Sequence, residues 1–177
     1  TDDEIRWLWK AAEEEGPPFG SLVQLLLLTG QRRAEVAGMT YREVTGDTWH
    51  LAASRTKNSK PHTVPLSEPA LAVLGNVRRI KDGPGYVFTT TGISPISGFT
   101  KMRARLVRRM HEIAEKEVGK PVEIASFTLH DLRRTCATGM ARIGVNVTTA
   151  EAVLNHASGT ISGGAAVYQQ HDFGLEM

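Results

Sequence analysis

The hydrophobic pattern of the chain changes its period once, and that change limits the possible folds more than any other feature. Apolar residues recur at helical spacing along most of the 177 residues. Residues 44–51 and 62–66 instead read as short strands, around Gly46-Asp47 and a polar turn over residues 56–61. We therefore predict a mainly α-helical chain with one small antiparallel β-sheet, an α+β fold.

Capping residues and helix breakers mark where the helices begin and end. Thr1 and Glu4 have the spacing of a capping box, and Gly16-Pro17-Pro18 ends the helix that they begin. Thr148 or Thr149 is expected to cap a helix nearer the C-terminus. The predicted helices cover about residues 2–15, 19–28, 32–39, 68–79, 97–118, 130–143 and 149–154, with a last short one around Tyr168.

Composition disfavours several classes of protein. Cys136 is the only cysteine, so an internal disulfide cannot form and nothing requires an oxidising compartment. The longest apolar run, around residues 22–28, is far shorter than the roughly 18–20 residues that a membrane span needs. The chain begins at Thr1 without a methionine, and we expect residues 1–177 to be a single domain cut from a longer protein.

The distribution of charge is more informative than the net charge of +2, which alone argues weakly for a nucleic-acid partner. Basic residues are densest between residues 101 and 109, a stretch without an acidic residue. Four of them, at the spacing i, i+4, i+7 and i+8, share one face of the predicted helix. Such a face is either simply solvated or contacts the phosphates of DNA. The four residues are Lys101, Arg105, Arg108 and Arg109.

Two short motifs place basic side chains at helix starts. Arg32 follows the helix break Thr29-Gly30, where the N-terminus of the next helix adds partial positive charge. His130 and Arg133 are three residues apart on one helix face. Arginine can grip a phosphoryl oxygen in two places and histidine can donate or accept a proton, so this pair suits a phosphate. Taken alone, an arginine placed like Arg32 more often forms a surface ion pair, and the alternative for His130 is a capped helix start.

Two further motifs lie in a turn and near the C-terminus. Lys57 belongs to the turn between two predicted strands, and Tyr168 follows His156 by twelve residues. A lone turn lysine, histidine or tyrosine usually has no special role. The order of all these residues along the chain is more specific than any one of them: Arg, Lys, His-x-x-Arg, His, Tyr.

This order resembles the tyrosine recombinase family, the phage-type integrases, from about residue 22 to Tyr168. The segment LLLLTGQRRAEV resembles the first arginine box of the family, TKNSKPHTVPL its β-hairpin lysine segment, HDLRRTCAT its second box and LNHASGTISGGAAVYQQH its last box. Asn155 stands where many members carry glycine. The resemblance implies the catalytic-domain fold of that family. It also implies six catalytic residues, which are Arg32, Lys57, His130, Arg133, His156 and Tyr168.

The reaction implied by the resemblance cuts and rejoins DNA through a 3′-phosphotyrosyl bond. Tyr168 would attack phosphorus, His130 would accept the phenolic proton, and Lys57 would protonate the departing 5′ oxygen.

The remaining implied roles concern the phosphate itself. Arg32 and Arg133 would hold the non-bridging oxygens and neutralise charge in the transition state, and His156 would donate a hydrogen bond. Glu35 would support the site by orienting the first arginine box. Arginines take the place of a metal here, so the resemblance implies no metal and no other cofactor.

The resemblance also implies partners and a setting. The partner is double-stranded DNA with attachment sites, and the intact enzyme is expected to assemble as a homotetramer. The enzyme is expected to be bacterial or phage-encoded and cytoplasmic, with no membrane association. Family members usually carry an N-terminal core-binding domain, which we expect to be absent from this fragment. Whether the fragment alone is a monomer stays open. Two alternatives stay open, namely DNA relaxation like that of type IB topoisomerases and a catalytically inactive DNA-binding relative.

Overall fold

The computed structural model describes residues 1–80 and 83–156, so Tyr168 and the helix predicted around it lie outside the described residues. Within those ranges the chain forms seven α-helices and three strands. The helices are α1 (Asp2–Glu15), α2 (Phe19–Thr29), α3 (Arg33–Ala37), α4 (Glu68–Gly75), α5 (Phe99–Val118), α6 (Asp131–Arg142) and α7 (Val147–Val153). The strands are β1 (Val44–Thr45), β2 (Thr48–Leu51) and β3 (His62–Pro65).

The three strands form one antiparallel sheet in the order β1-β2-β3. Trp49 on β2 is paired with Val44 on β1 and with Val64 on β3. Trp49, Val64 and Leu51 are all buried, so one face of the sheet packs on the helical core. The prediction of a mainly α-helical chain with a small antiparallel sheet is therefore confirmed.

Thr1 caps α1, because its Oγ1 accepts a hydrogen bond from the Glu4 amide at 3.2 Å, as the predicted capping box requires.

The helices α1 and α2 approach each other closely. Where the two helices meet, a Cβ on Gly20 would lie 1.8 Å from the carbonyl oxygen of Ala12. Glycine at this position therefore allows backbone to touch backbone.

The long helix α5 packs against α1. Its buried side chains recur every four residues, which keeps them on one stripe of the helix. These side chains are Met102, Leu106, Met110 and Ala114. Of the helices in the described ranges, none is both long enough and apolar enough to cross a membrane.

Most predicted helix boundaries lie within one or two residues of those in the structure, but the end of α4 and the cap of α7 were predicted wrongly. The helix α4 ends at Gly75 rather than near residue 79, because the chain leaves it through a tighter i to i+3 turn. The predicted cap of α7 at Thr148 or Thr149 is wrong. Asn146 caps this helix, since its Oδ1 accepts from the Thr149 amide at 2.8 Å. All three residues are capable caps, and only the fold decides which side chain reaches an unpaired amide.

Candidate active site

The carbonyl groups at the C-terminal end of α7 form the centre of the candidate site. Such carbonyls have no partner within the helix and carry partial negative charge, so they attract hydrogen-bond donors and cations. Five side chains from other parts of the chain donate to the carbonyls of residues 153–155. The five donors are Gln31, Arg32, Asn58, His62 and Arg133.

Arg133 on α6 is buried, with 4% of its surface exposed. Its Nη1 donates to the carbonyl oxygen of Gly30 at 2.8 Å, and its Nη2 donates to the carbonyl oxygen of Leu154. Gly30 ends α2 with a φ of 63°, and a Cβ there would lie 2.7 Å from Leu154 Cδ2 and 3.0 Å from Cys136 Sγ. Arg133 therefore joins the ends of α2 and α7 at a point where neighbouring side chains leave no space for a side chain on Gly30.

Arg32 and Glu35 form a second anchor at the start of α3. The Nη1 of Arg32 donates to Oε1 of Glu35 at 3.1 Å, and the Arg32 amide donates to Oε2 at 3.1 Å. Oε1 also accepts from the amide of Lys57 at 3.4 Å. The Nη2 of Arg32 reaches the carbonyl oxygen of Asn155 at 3.3 Å. The buried carboxylate of Glu35 thus connects Arg32 to the backbone of Lys57, while its supporting role in the site stays a prediction.

His130 directly precedes α6, three residues before Arg133. Partial burial of the imidazole, and then the charges of Arg133 and Arg134, hold the pKa of His130 below its ordinary value of 6.5. Asp131 opposes this shift and Arg32 adds to it. A histidine with a lowered pKa is neutral near pH 7 and is able to accept a proton.

His156 and Lys57 are each held by a glutamate. Nδ1 of half-buried His156 lies 2.7 Å from Oε2 of Glu151. The side chain of Lys57 is exposed, while its amide is held by Glu35. The structure therefore gathers both arginines, His156 and the turn of Lys57 around residues 153–155. Tyr168 lies outside the described residues, and its part in the site stays a prediction.

Three of the five donors were not anticipated from the sequence. Gln31 is almost fully buried and donates to the carbonyl oxygen of Val153 at 2.9 Å. Nε2 of His62 lies 3.1 Å from the same oxygen, and because a carbonyl only accepts, Nε2 carries the ring proton. Burial lowers the pKa of His62 below 6.5. Asn58, the third donor, directly follows Lys57 in the sequence. This adjacency is the one feature of the sequence that could have pointed to Asn58 as part of the site.

Of the four basic residues predicted to share one face of α5, two form ion pairs with α1 and two are exposed. Nε of Arg105 donates to Oε1 of Glu15 at 2.9 Å, and Nε of Arg109 donates to Oε2 of Glu15 at 3.2 Å. These two residues pair with the end of α1, whereas Lys101 and Arg108 are exposed to solvent. The pairing follows from register, since residues 105 and 109 border the buried stripe of α5. DNA contact by any of the four residues stays a prediction.

The centre carries an excess of positive charge. The guanidinium groups of Arg32 and Arg133 donate to the backbone of residues 154–155, and Arg32 also pairs with Glu35, an arrangement suited to an anion such as a phosphodiester. In the part of the chain that the structure describes, no three His, Cys, Asp or Glu side chains lie close enough together to hold a metal ion.

Residues 1–173 match the model of the phage integrase family. The chain belongs to this family. Among the curated relatives of this integrase is the tyrosine recombinase XerA of Pyrococcus furiosus, 27% identical over 159 residues, which are 89% of this chain and 53% of the relative. The prophage integrase IntA of Escherichia coli is 31% identical over 132 residues, 73% of this chain and 29% of the relative. The chain thus spans about half or less of the length of these relatives.

Solved structures establish the fold of this family member. The catalytic domain of bacteriophage HP1 integrase has a TM-score of 0.63 and 21% identity, over 89% of this chain and 80% of that one. A structure of lambda integrase (residues 75–356) bound to DNA has a TM-score of 0.69 and 19% identity, over 100% of this chain and 62% of that one. The tyrosine recombinase catalytic-domain fold implied by the resemblance is confirmed.

Proposed function

We propose that this integrase family member is the catalytic domain of a site-specific recombinase that cleaves and rejoins DNA through a 3′-phosphotyrosyl bond on Tyr168. One observation carries the proposal. Arg32 and Arg133 donate to the consecutive carbonyls of Asn155 and Leu154, directly before His156. Two guanidinium groups held at neighbouring points of one backbone suit the two non-bridging oxygens of a single phosphodiester.

The proposed cleavage step moves two protons. The phenolic oxygen of Tyr168 attacks phosphorus, and the bond from phosphorus to the 5′ oxygen breaks. A phenol has an ordinary pKa near 10, so it needs a base at neutral pH, and neutral His130 accepts its proton. Lys57 gives a proton to the 5′ oxygen, which leaves as a hydroxyl group. Rejoining reverses these steps, because the phosphotyrosyl bond keeps the energy of the original linkage and no ATP is needed.

The guanidinium groups of Arg32 and Arg133 stabilise the transition state. Their hydrogen bonds to Glu35 and to the backbone fix them before the reaction begins, so little reorganisation is needed as charge develops on phosphorus. His156 donates a further hydrogen bond to the phosphate. In this scheme the arginines supply the charge neutralisation that a metal ion supplies in other phosphoryl-transfer enzymes.

The proposed partner is double-stranded DNA, and structures of lambda integrase bound to DNA support this choice through the shared fold. Because the chain spans about half of several relatives, we propose that the intact protein carries a further DNA-binding domain and acts in the cytoplasm as a tetramer on attachment sites. The contribution of Lys101 and Arg108 to DNA binding belongs to the same proposal.

The test uses the full-length protein and a pool of nicked duplexes whose sequence around the nick is randomised. Cleavage beside a nick releases a short fragment, so a covalent protein–DNA adduct accumulates and the trapped DNA can be sequenced. We expect an adduct with wild type and with the matched control Tyr86→Phe, and none with Tyr168→Phe. Peptide mapping should place the DNA on Tyr168. An adduct that persists in Tyr168→Phe would refute the assignment of the nucleophile.

A further inference from the structure

The turn of Lys57 and the segment before His156 are joined by a pair of asparagine side chains. Nδ2 of Asn58 donates to Oδ1 of Asn155 at 2.8 Å, and Nδ2 of Asn155 donates to Oδ1 of Asn58 at 3.4 Å. Nδ2 of Asn58 also reaches the backbone carbonyl of Asn155 at 3.2 Å. We call this pair, Asn58 and Asn155, the amide clasp. Its members are 97 residues apart in the chain.

The backbone at Asn155 explains why asparagine is accepted there. Its φ of 51° lies in the left-handed region, where glycine is unstrained and asparagine is better tolerated than most other residues. The resemblance places glycine at this position in many relatives. Asparagine therefore keeps the backbone conformation and adds a side chain that hydrogen-bonds to Asn58.

The amide clasp is one of two attachments that hold the lysine turn. Apart from contacts with the neighbouring Thr56, the hydrogen bonds that residues 57–60 make with the rest of the described chain go to Glu35 and to Asn155. The side chain of Asn58 is itself fixed, because its Oδ1 accepts from the Lys60 amide at 3.2 Å. Glu35 holds the turn at the Lys57 amide, and the clasp holds it at the next residue.

We propose that the amide clasp positions Lys57 for proton transfer to the leaving 5′ oxygen. This inference rests on the proposed function, in which Lys57 is the acid. The side chains of Asn58 and Arg32 both donate to the backbone carbonyl oxygen of Asn155. This shared acceptor fixes the position of the lysine turn relative to the arginine that is proposed to bind the phosphate. Asn58 and Asn155 are positioning residues and have no chemical part in the reaction.

The test compares two substrates with the full-length enzyme, using the scissile sequence recovered from the trapping experiment. One substrate has the natural 5′ bridging oxygen and the other has sulfur in its place. A thiolate leaves without being protonated, so the sulfur substrate needs no acid. The variants are Asn58→Ala and Asn155→Gly, the second of which keeps the left-handed backbone, with Lys57→Ala and Arg32→Lys as controls.

We expect each clasp variant to slow single-turnover cleavage of the oxygen substrate by about 10- to 100-fold, a part of the 10²–10⁴ that general acid catalysis provides. On the sulfur substrate both variants should cleave within about threefold of wild type, since no acid is needed. The double variant should be no slower than Asn58→Ala, because Asn58→Ala alone already removes every hydrogen bond of the clasp.

The controls separate failure of the inference from failure of the proposed function. Lys57→Ala should recover on the sulfur substrate, and Arg32→Lys should stay slow on both substrates. If Lys57→Ala recovers but the clasp variants are slow on both substrates, or on neither, the amide clasp is refuted and the function stands. If Lys57→Ala does not recover, Lys57 is not the acid, and the inference falls with that assignment.

Discussion

Replacing Glu35 by glutamine tests how the site holds its first arginine. The carboxylate of Glu35 is 3% exposed and accepts three hydrogen bonds, two from Arg32 and one from the Lys57 amide. Glutamine has nearly the same shape, but only one of its two terminal atoms accepts a hydrogen bond. If its oxygen stays with the Arg32 guanidinium and the Lys57 amide, its NH₂ group faces the Arg32 amide, which is also a donor.

The cost of Glu35→Gln follows from these contacts. Loss of charge assistance at Arg32 removes about 1 kcal/mol, and the Arg32 amide left without an acceptor costs about 1–3 kcal/mol more. The free energy of unfolding should therefore fall by about 2–4 kcal/mol. For a chain of this size that corresponds to a fall in Tm of roughly 5–15 °C. Cleavage should slow by at least about tenfold, because a small misplacement of a catalytic group has a large effect on rate.

Glu43→Gln is the matched control for this change. Glu43 also accepts from a backbone amide, that of Thr40 at 3.0 Å, and from an arginine, Arg55 at 2.8 Å, but it contacts neither Arg32 nor Lys57. Thermal unfolding by circular dichroism should show a lower Tm for both variants. Adduct formation by the full-length protein, assayed well below either Tm, should be slowed by Glu35→Gln alone. Wild-type Tm and wild-type cleavage for Glu35→Gln would refute this account of the site.

Three further predictions concern packing, pH and charge. Gly30→Ala should cost about 2–4 kcal/mol in denaturant unfolding and Gly119→Ala about 1–2, because both have positive φ but only a Cβ on Gly30 overlaps neighbouring atoms; equal costs would contradict this. Burial lowers the pKa of His62 in the folded protein below 6.5. The unfolded chain therefore binds a proton more readily than the folded protein, and the stability that neutral His62 provides above pH 6.5 is lost as the pH falls from 6.5 toward the lowered pKa. His62→Gln should therefore flatten the pH dependence of unfolding between about pH 7.5 and 5.5, by at most about 1.4 kcal/mol per pH unit, and an unchanged slope would count against it. Arg105→Ala should lower the Tm more than Arg108→Ala, and equal Tm values would show that the ion pair to α1 is not stabilising.

Local signals in the sequence were enough for much of the fold. The capping box at Thr1 and the helix breaks at Gly16 and Gly30 act within a few residues, so they can be read without knowing the rest of the structure. The cap of α7 shows the limit of this approach. Asn146 and Thr149 are both good caps, and the selection depends on how the preceding loop enters the helix.

The site was less predictable because its supporting contacts join distant segments. The order of Arg32, Lys57, His130, Arg133, His156 and Tyr168 could be recognised from motifs, although their roles remain predictions. Gln31 and His62 could not be recognised in this way. They share one acceptor, the carbonyl oxygen of Val153, which lies 122 and 91 residues further along the chain. No periodicity in a single sequence reports contacts of that kind.

The same contacts show why a site of this type depends on a helix C-terminus. Two guanidinium groups brought close together repel each other, and their charges add to burial, the larger cause, in lowering the pKa of both His62 and His130. The partial negative charge of the α7 carbonyls offsets part of this repulsion, and each carbonyl carries less charge than a carboxylate would. A further carboxylate would stabilise the arginines better, but it would also repel the anion that they are proposed to bind. The backbone carbonyls therefore reconcile the stability of the fold with an excess of positive charge at the site.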